Sequence, residues 1–346
     1  MIRTVLLLSV FVAGLATGQA PVKVFILAGQ SNMEGKAKMQ LMNHQATDSK
    51  TSKIFEHLRK GGEWIVRDDV SITYRGRHGG LTVGYGSGTC TGVELQFGTA
   101  MGDHFEEPVL LIKASWGGHS LVQKFRSPSA GLPPAAKLDE ELKGKQNNVK
   151  KNNEKRNQNK PLPTMDDIKS GYGVSYRAMM DEVKKTYADY GAFFPSLKGK
   201  KLQLAGFVWF QGWNDQYGGA ENEYASNMAH FIRDVRKDLK APKLPFVIGV
   251  MGQNGSKPAK GAMLTIQKAQ LSMETLPDFK GNVKAVRTDV LVDKTAEALY
   301  PEWRQRFKEW ELVGGDHAYH YLGSAIWFNR MGGAFGKAML SLMNDG

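Results

Sequence analysis

Four short polar segments of the sequence contain the residue types that acyl transfer requires. In chain order they supply a serine, a glycine pair, two carboxamides and an acid-base pair: Ser31, Gly117 and Gly118, Gln211 and Asn214, Asp316 and His320. A serine hydroxyl becomes a strong nucleophile when an imidazole takes its proton, and a carboxylate can orient that imidazole. N–H donors are also needed, because negative charge develops on the substrate's carbonyl oxygen. The set therefore predicts nucleophilic acyl transfer.

Each of these residues has a definite role in this hypothesis. Ser31 is the nucleophile, His320 is the general base, and Asp316 orients the base. The expected oxyanion donors are two backbone N–H groups and one side-chain amide with two candidates: Ser31 and Gly118, Gln211 or Asn214. Taken singly, such residues are more often structural, since serine, glycine and asparagine are common in turns. Their joint occurrence at the ends of apolar runs favours the catalytic interpretation.

The apolar runs that precede these segments have the length and composition of buried strands. Five runs predict strands, at residues 22–28, 109–114, 204–210, 246–250 and 283–288. Between and after them, apolar residues at near-helical spacing predict helices at residues 93–105, 175–190, 223–239, 261–274 and 323–343. Strands that alternate with helices predict an α/β protein with a parallel sheet covered on both faces. Because ligands bind at the carboxyl edge of such sheets, the polar segments are expected to meet there.

Two segments interrupt this alternation. Residues 70–92 are dense in glycine and are predicted to form a loop that arches near the site. Residues 126–172 are the expected surface flap, and within them residues 143–160 are rich in lysine and asparagine. Such a segment cannot bury an apolar face, so it is either a solvated helix or a disordered insertion.

The first twenty residues have the pattern of a secretory signal peptide. Arg3 precedes an apolar stretch at residues 5–12, and small residues follow up to Ala20. We therefore predict export to the periplasm or the extracellular space, with no stable membrane insertion. The remaining residues, 21–346, are predicted to form a single domain with a Lys/Asn-rich insertion at about residues 137–165.

Composition and charge exclude several classes of protein. Hydrophobic residues make up 41% of the chain and charged residues 23%, as in globular domains. The net charge of +12 comes with no nucleic-acid-binding motif, so nucleic acid is not an expected partner. Cys90 is the one cysteine, which excludes an intrachain disulfide and favours a packing role. We expect no cofactor and no metal, although the spacing of His317 and His320 leaves a metal site open.

The four segments together resemble the SGNH hydrolase superfamily. More narrowly, they are similar to the carbohydrate acetylesterases that include sialate O-acetylesterases and plant-type acetylxylan esterases. The resemblance rests on "GQSNM" at residues 29–33, the helix, strand and glycine block at 94–121, "WFQGWND" at 209–215 and "DHAYHYLGSA" at 316–325. These blocks occur in the family's order, and the match runs from about residue 22 to residue 335 outside the insertion.

The resemblance implies a flavodoxin-like, three-layer α/β/α fold and hydrolysis of acetyl esters on carbohydrates. It also implies a serine, histidine and aspartate triad that acts without a cofactor. For a sugar substrate we expect contacts from one amide and three aromatic side chains: Gln30, Trp116, Trp213 and Tyr217.

Two departures from the family pattern leave alternatives open. Trp213 follows Gly212 where the family usually has a glutamate, so Gln211 and Asn214 compete for the oxyanion role. Asp and His are commonly three residues apart in the terminal block, whereas Asp316 and His320 are four apart. His317 and Asp289 are therefore the alternative base and acid.

Two further functions are compatible with these residues. A catalytically silent sugar-binding protein would keep the cleft, and an esterase for other acyl esters would keep the triad but present a more apolar groove. The identity of the acetylated sugar, whether sialic acid or a polysaccharide, and the oligomeric state are not indicated by the sequence.

Overall fold

A seven-stranded sheet organises the protein, for which a computed structural model describes residues 20–344. The strand order is β5-β4-β6-β1-β7-β8-β9, and β2 and β3 form a separate two-stranded ribbon. The strands are β1 Val22–Gly29, β2 Arg59–Lys60, β3 Glu63–Trp64, β4 Val70–Tyr74, β5 Arg77–Gly80, β6 Val109–Ser115, β7 Leu202–Phe210, β8 Phe246–Val250 and β9 Val283–Arg287. All neighbours in the large sheet are parallel except β5, which pairs antiparallel with β4 at one edge.

The helices connect these strands and cover the sheet. They are α1 Ser31–Glu34, α2 Met39–Gln45, α3 Ser52–Phe55, α4 Glu94–His104, α5 Ala135–Arg156, α6 Met165–Ser170, α7 Val174–Phe193, α8 Tyr224–Asp238, α9 Gly261–Ser272, α10 Lys294–Leu299, α11 Phe307–Trp310 and α12 Ala325–Asn344. All five strands and all five helices predicted from periodicity are present, with ends that shift by three residues or fewer.

The two faces of the sheet carry separate hydrophobic clusters, which makes a three-layer α/β/α sandwich. In β1, Phe25 and Leu27 face one cluster, which includes residues of α4 and α12. Val24 and Ile26 face the other, which includes residues of α7, α8 and α9. A strand buried on both faces reads as a continuous apolar run, which is why these strands were recognisable. The predicted fold class is confirmed.

The prediction of a loop over residues 70–92 is wrong for its first half. Residues 70–74 form the buried strand β4, which pairs with β6, and residues 77–80 return as β5. The turn between them places Arg75 and Gly76 at positive φ (49° and 76°), the backbone that tight hairpins require. The glycines that suggested a loop belong to this hairpin and to the connection that follows it.

The Lys/Asn-rich segment is a solvated helix, one of the two alternatives open from the sequence. It forms the distal part of α5, where Leu138 near the start is the buried residue. Leu138 packs with Ile168 and Tyr172, so α5 is attached to the domain at its base. Leu142 also packs on this cluster, and most side chains beyond it are polar and exposed to solvent.

The predicted signal peptide lies outside the described residues except for Ala20. Among the helices of residues 20–344, none is long and apolar enough to cross a membrane.

Candidate active site

Three loops lie side by side where they follow the carboxyl ends of the neighbouring strands β6, β1 and β7. Strand β1 lies between β6 and β7, and Gly29 at its end is in register with Ser115 of β6 and Phe210 of β7. The chain forms β4, β5 and β6 on one side of β1 and then crosses to β7 on the other side, so β1 marks the point where the winding reverses. Ligand sites of open α/β sheets form at such points.

The nucleophile turn, named here for the predicted nucleophile Ser31, bends sharply at Gly29. A Cβ at this position would lie 2.1 Å from the carbonyl oxygen of Phe210, so only glycine fits. The next residues form the single helical turn α1, which begins at Ser31. Ser31 is 6% exposed. Its backbone N–H makes no hydrogen bond with any described residue and remains available to a ligand.

The acid-base pair predicted near the C-terminus comes together in the structure. Nδ1 of His320 lies 3.0 Å from Oδ2 of Asp316, although its N–H is not aligned with that oxygen as in a hydrogen bond. The backbone N–H of His317 donates to Oδ1 of the same carboxylate at 2.7 Å. Burial alone would raise the pKa of Asp316, but the His320 ring and the His317 N–H outweigh burial and lower it. Asp316 therefore stays ionised and can orient the imidazole.

The alternative acid and base have other surroundings. Asp289 forms an ion pair with Arg287, two residues before it. The ring of His317 is exposed and stacks on Tyr319, with 5.2 Å between ring centroids. The carboxylate beside an imidazole at this edge is thus Asp316, and the imidazole is that of His320.

A strained backbone holds His320 in place. Tyr321 and Leu322, the next two residues, have φ values of 52° and 61°, which large side chains rarely adopt. The fully buried Tyr321 maintains this conformation, because its hydroxyl lies 2.8 Å from the Thr288 hydroxyl and accepts the Gly252 N–H at 3.0 Å. Sequence reasoning missed Tyr321, whose only signal was its position beside His320.

The nucleophile turn and the histidine segment contact each other directly. Nδ2 of Asn32 donates to the carbonyl oxygen of Tyr319 at 3.1 Å. Within residues 20–344, no hydrogen bond joins the Ser31 hydroxyl to the His320 ring. Such catalytic hydrogen bonds often form only when substrate is bound.

Gln30 determines which way the Asn214 amide faces. Its Oε1 accepts the backbone N–H of Gly212 at 3.1 Å, so its Nε2 must be the end that meets Asn214. This Nε2 donates to Oδ1 of Asn214 at 3.0 Å. Nδ2 of Asn214 is therefore the remaining end and can donate to a ligand. Gln30 itself is buried, so it positions the loop instead of presenting a free polar group.

The amide of Gln211 is used inside the protein. Its Nε2 donates to the carbonyl oxygen of His119 at 3.1 Å and to Oδ2 of Asp215 at 2.6 Å. Its Oε1 accepts the hydroxyl of Tyr224 at 3.1 Å. Both hydrogens of the amide are thereby occupied. Of the two oxyanion candidates, the contacts favour Asn214.

Asp215 joins the loop after β7 to the loop after β6. Its carboxylate accepts the backbone N–H groups of Leu121 and Val122 at 2.8 and 2.7 Å, in addition to Gln211. Burial raises the pKa of Asp215 to about 6, against the opposing effect of these three donors. This residue positions the glycine loop relative to Asn214.

Glu34, at the end of α1, holds the glycine loop from the other side. Its buried carboxylate accepts the Gly117 N–H at 2.8 Å and pairs with Arg75 at 2.6 Å and Lys36 at 3.1 Å. The Gly117 N–H is thus occupied, whereas the Gly118 N–H makes no hydrogen bond with a described residue. Sequence reasoning missed Glu34, although a carboxylate three residues after the serine was the available signal.

A buried ion pair supports the nucleophile turn from below. Nζ of Lys113 on β6 donates to Oε2 of Glu94 at 2.8 Å and to the carbonyl oxygens of Glu34 and Tyr85 at 2.8 and 2.9 Å. Burial lowers the pKa of Lys113, and the Glu94 carboxylate opposes that effect. The lysine binds the carbonyl end of α1 and thereby fixes its orientation.

The three predicted aromatic contacts differ in their surroundings. Trp116 is half-buried and stacks with His119 at 6.4 Å between centroids. Trp213 is half-buried and lies 5.9 Å from Tyr319. Tyr217 is 61% exposed on the loop after β7.

Comparison with known families identifies the chain. The model of a family described as carbohydrate esterase, sialic acid-specific acetylesterase, matches residues 21–155 and 163–298. The chain belongs to this family. It is therefore a carbohydrate O-acetylesterase. The unmatched residues 156–162 begin at the last residue of α5 and continue past it, and Asp316 and His320 lie beyond the last matched residue.

Three solved structures are similar to the esterase at low sequence identity. A protein of Arabidopsis thaliana has a TM-score of 0.52 and 16% identity, over 93% of this chain and 99% of that one. This likeness supports the fold alone. A carbohydrate acetylesterase from Xanthomonas citri (TM-score 0.43, 15% identity, 78% and 50% covered) and NanS (0.39, 12%, 78% and 78%) are more distant. Comparison with curated proteins finds no significant match.

Mutation can distinguish the roles of the Asn214 and Gln211 side-chain amides. Replacing Asn214 by alanine is expected to lower kcat by roughly 10²–10³-fold, as for loss of an oxyanion donor, and it also leaves the buried Nε2 of Gln30 without its acceptor. Replacing Gln211 by leucine is expected to lower the free energy of unfolding by about 1–3 kcal/mol, because Asp215 and Tyr224 lose a buried partner. Kinetics on an aryl acetate and thermal unfolding measure both effects. A large loss of kcat in Gln211→Leu with little loss in Asn214→Ala would assign the oxyanion role to Gln211.

Proposed function

We propose that the esterase removes acetyl groups from sugar hydroxyls through an acetyl-enzyme formed on Ser31. His320 takes the hydroxyl proton as Oγ bonds to the carbonyl carbon of the acetyl group, and Asp316 stabilises the resulting imidazolium. The tetrahedral intermediate collapses with cleavage of the bond to the sugar oxygen, which receives the proton from His320. Water then repeats the sequence: His320 accepts its proton, acetate leaves, and Ser31 is protonated again.

Three donors are assigned to the oxyanion in this proposal. They are the free N–H groups of Ser31 and Gly118 and the Nδ2 of Asn214. Two of them are held by buried contacts: Gly118 follows the Gly117 N–H bound by Glu34, and Asn214 is oriented by Gln30. Donors fixed before the reaction need no reorganisation when the charge develops, which is the main source of their effect.

The observation that carries the proposal is the Asp316 and His320 pair beside the nucleophile turn. The pair is 3.0 Å apart, and the segment that contains it is bound to α1 through Asn32. In a family of carbohydrate esterases, a serine, an imidazole and a carboxylate at one sheet edge support a serine mechanism. The family's description suggests sialic acid as one acetylated sugar, and acetylated polysaccharide is the other candidate.

The proposal includes export before the enzyme acts. The signal-peptide pattern of residues 1–20 supports a periplasmic or extracellular location, where acetylated glycans of cell surfaces are accessible. Fractionation of cells that express the full chain tests this location.

Covalent labelling and product release test the proposed reaction. A fluorescent alkyl phosphonate is expected to add one label per protein, which peptide mapping places on Ser31, and the Ser31→Ala variant is expected to stay unlabelled. Acetate release is measured on O-acetylated sialic acid and on acetylated xylan. A label on another residue would overturn the role of Ser31, and no acetate from any acetylated sugar would overturn the function.

A further inference from the structure

The distal part of α5 and the chain that follows it form an exposed arm with a concentrated positive charge. We define the arm as residues 143–164, which comprise the second part of α5 and the return segment 157–164. Between residues 143 and 160 the arm contains one carboxylate, that of Glu154. The same stretch contains seven cationic side chains, all of them exposed: Lys143, Lys145, Lys150, Lys151, Lys155, Arg156 and Lys160. The proposed reaction uses none of them.

The arm is a folded hairpin. The chain reverses at Asn157, whose φ of 48° is the left-handed conformation in which many helices end. The return segment is then bound along α5, because Nδ2 of Asn153 donates to the carbonyl oxygen of Lys160 at 2.8 Å and Oδ1 of Asn153 accepts the Lys160 N–H at 3.1 Å. Nε2 of Gln146 also donates to the carbonyl oxygen of Pro163 at 2.9 Å. The cationic side chains therefore extend from an ordered backbone.

The cations of the arm lie on the sides of α5 that the return segment leaves free. The partly buried residues of the distal helix recur at helical spacing and mark its covered face: Leu142, Gln146, Val149 and Asn153. At about 100° per residue, the six cations of the helix are spread over roughly two thirds of its circumference, outside that face. Among the ion pairs of residues 20–344, Lys145 pairs with Glu141 at 2.6 Å, and the other cations of the arm have no such partner. Most of their charge is thus uncompensated and faces solvent on several sides.

The uncompensated charge requires an anionic partner, and the other residues of the arm indicate its class. Val149 is the one apolar side chain between residues 143 and 160, and this stretch has no aromatic residue. A helix that lies in a membrane surface needs a broad apolar face. A stable protein interface needs aromatic or aliphatic anchors that become buried. The arm provides neither, so it favours a partner that binds through charge and hydrogen bonds alone.

An acidic polysaccharide fits the arm better than a nucleic acid. Single-stranded nucleic acids stack their bases on aromatic side chains, which the arm lacks. The major groove of DNA admits one α-helix, whereas the return segment lies against α5 and widens the arm. A polysaccharide has hydroxyl groups between its anionic groups, and carboxamides can both donate to and accept from hydroxyls. The arm exposes six such side chains besides its cations: Asn147, Asn148, Asn152, Asn157, Gln158 and Asn159.

We propose that the arm is a docking surface for an acidic polysaccharide that carries carboxylate or sulfate groups along its chain. The cations bind the anionic groups, and the carboxamides bind the hydroxyl groups between them. The polymer is a support to which the esterase attaches, and this attachment requires no turnover at Ser31. The end of the arm, residues 156–162, lies outside the match to the family's model, so family membership does not account for it.

Salt-dependent binding tests the proposal. Fluorescence anisotropy of labelled dextran sulfate, polygalacturonate and neutral dextran measures binding by the esterase at about 50 and 150 mM NaCl. The wild-type protein is expected to bind both acidic polymers, more weakly at the higher salt concentration, and to leave neutral dextran unbound. Combining Lys150→Gln, Lys151→Gln and Lys155→Gln is expected to weaken binding by roughly 10–100-fold at the lower salt concentration. The slope of log affinity against log salt should fall by about 1 for each contact removed.

Two matched variants separate the arm from the net charge of the protein. Arginine at the same three positions keeps the charge and is expected to retain binding. Glutamine at three exposed lysines outside the arm removes the same charge and should leave the affinity almost unchanged; these are Lys185, Lys243 and Lys280. All three variants are expected to keep the wild-type Tm and the wild-type kcat on an aryl acetate, which shows that the fold is intact.

Three outcomes would overturn the docking proposal. The first is that neither acidic polymer binds the wild-type protein at the lower salt concentration. The second is that the two glutamine variants lose the same affinity, because binding would then depend on net charge alone. The third is tighter binding of double-stranded DNA or of phosphatidylglycerol vesicles than of dextran sulfate, which would assign the arm to nucleic acid or to a membrane.

Discussion

Ser31→Ala is expected to lower kcat for acetyl-ester hydrolysis by roughly 10⁴–10⁶-fold, with an unchanged Tm. The expected loss is large because the proposed acetyl-enzyme forms on Ser31, and the N–H donors alone would give only residual catalysis. The fold should persist because the side chain loses one oxygen and the backbone of α1 is held by Glu34 and Lys113. Steady-state kinetics on an aryl acetate, with thermal unfolding of the same samples, measures both quantities.

The partner of Ser31 can be identified by combining variants. His320→Ala is expected to lower kcat nearly as much as Ser31→Ala, and the double variant should lose no more than either single variant, because the two residues act as one unit. His317→Ala is the matched control and is expected to retain activity on the aryl acetate. The His317 ring is exposed, and the imidazole that pairs with Asp316 is that of His320. If His317→Ala abolishes activity and His320→Ala does not, the base is assigned wrongly.

Lys113→Met is expected to lower the free energy of unfolding by about 3–5 kcal/mol. The methionine leaves Glu94 buried without a positive partner and removes the donor from two buried carbonyl groups. A buried charge without its partner is far more costly than the pair was favourable. Urea unfolding followed by fluorescence measures the loss, and a linear extrapolation gives the free energy.

The matched comparisons for this prediction use one double variant and one surface pair. Lys113→Met combined with Glu94→Gln is expected to recover part of the stability, because the uncompensated charge is gone. Lys23→Met breaks the ion pair with Glu107, which is 3.2 Å long and more exposed, and should cost less than about 1 kcal/mol. Equal losses of unfolding free energy in Lys113→Met and Lys23→Met would contradict the prediction that the buried ion pair matters more for stability than the exposed one.

Prediction from sequence worked where structure is set by local pattern. The central strands were recognisable because burial on both faces requires an uninterrupted apolar run, as in β1. Helix α8 was recognisable because its buried residues recur at helical spacing. Strand β4 was missed because it is five residues long and its hairpin is rich in glycine, which locally resembles a loop.

The order of the strands in the sheet could not be predicted from the sequence. The position of β1 between β6 and β7 depends on pairings between residues that are far apart in the chain, as when Gly29 pairs with both Ser115 and Phe210. Local propensity contains no information on such pairings. The same limit applies to Glu34, whose partners Arg75 and Gly117 come from two other loops.

The sequence by itself determined the residue types at the site, the elements that carry them and the class of chemistry they predict, because motifs and periodicity are local properties of the chain. Only the tertiary structure showed that the His320 ring pairs with the Asp316 carboxylate and that the His317 ring does not. It likewise distinguished Asn214 from Gln211, since the orientation of each amide is set by distant partners, Gln30 for one and Asp215 with His119 for the other. An amide NH2 group can donate to a substrate only where acceptors of the protein do not already take its hydrogens, and those acceptors are brought together by the tertiary structure.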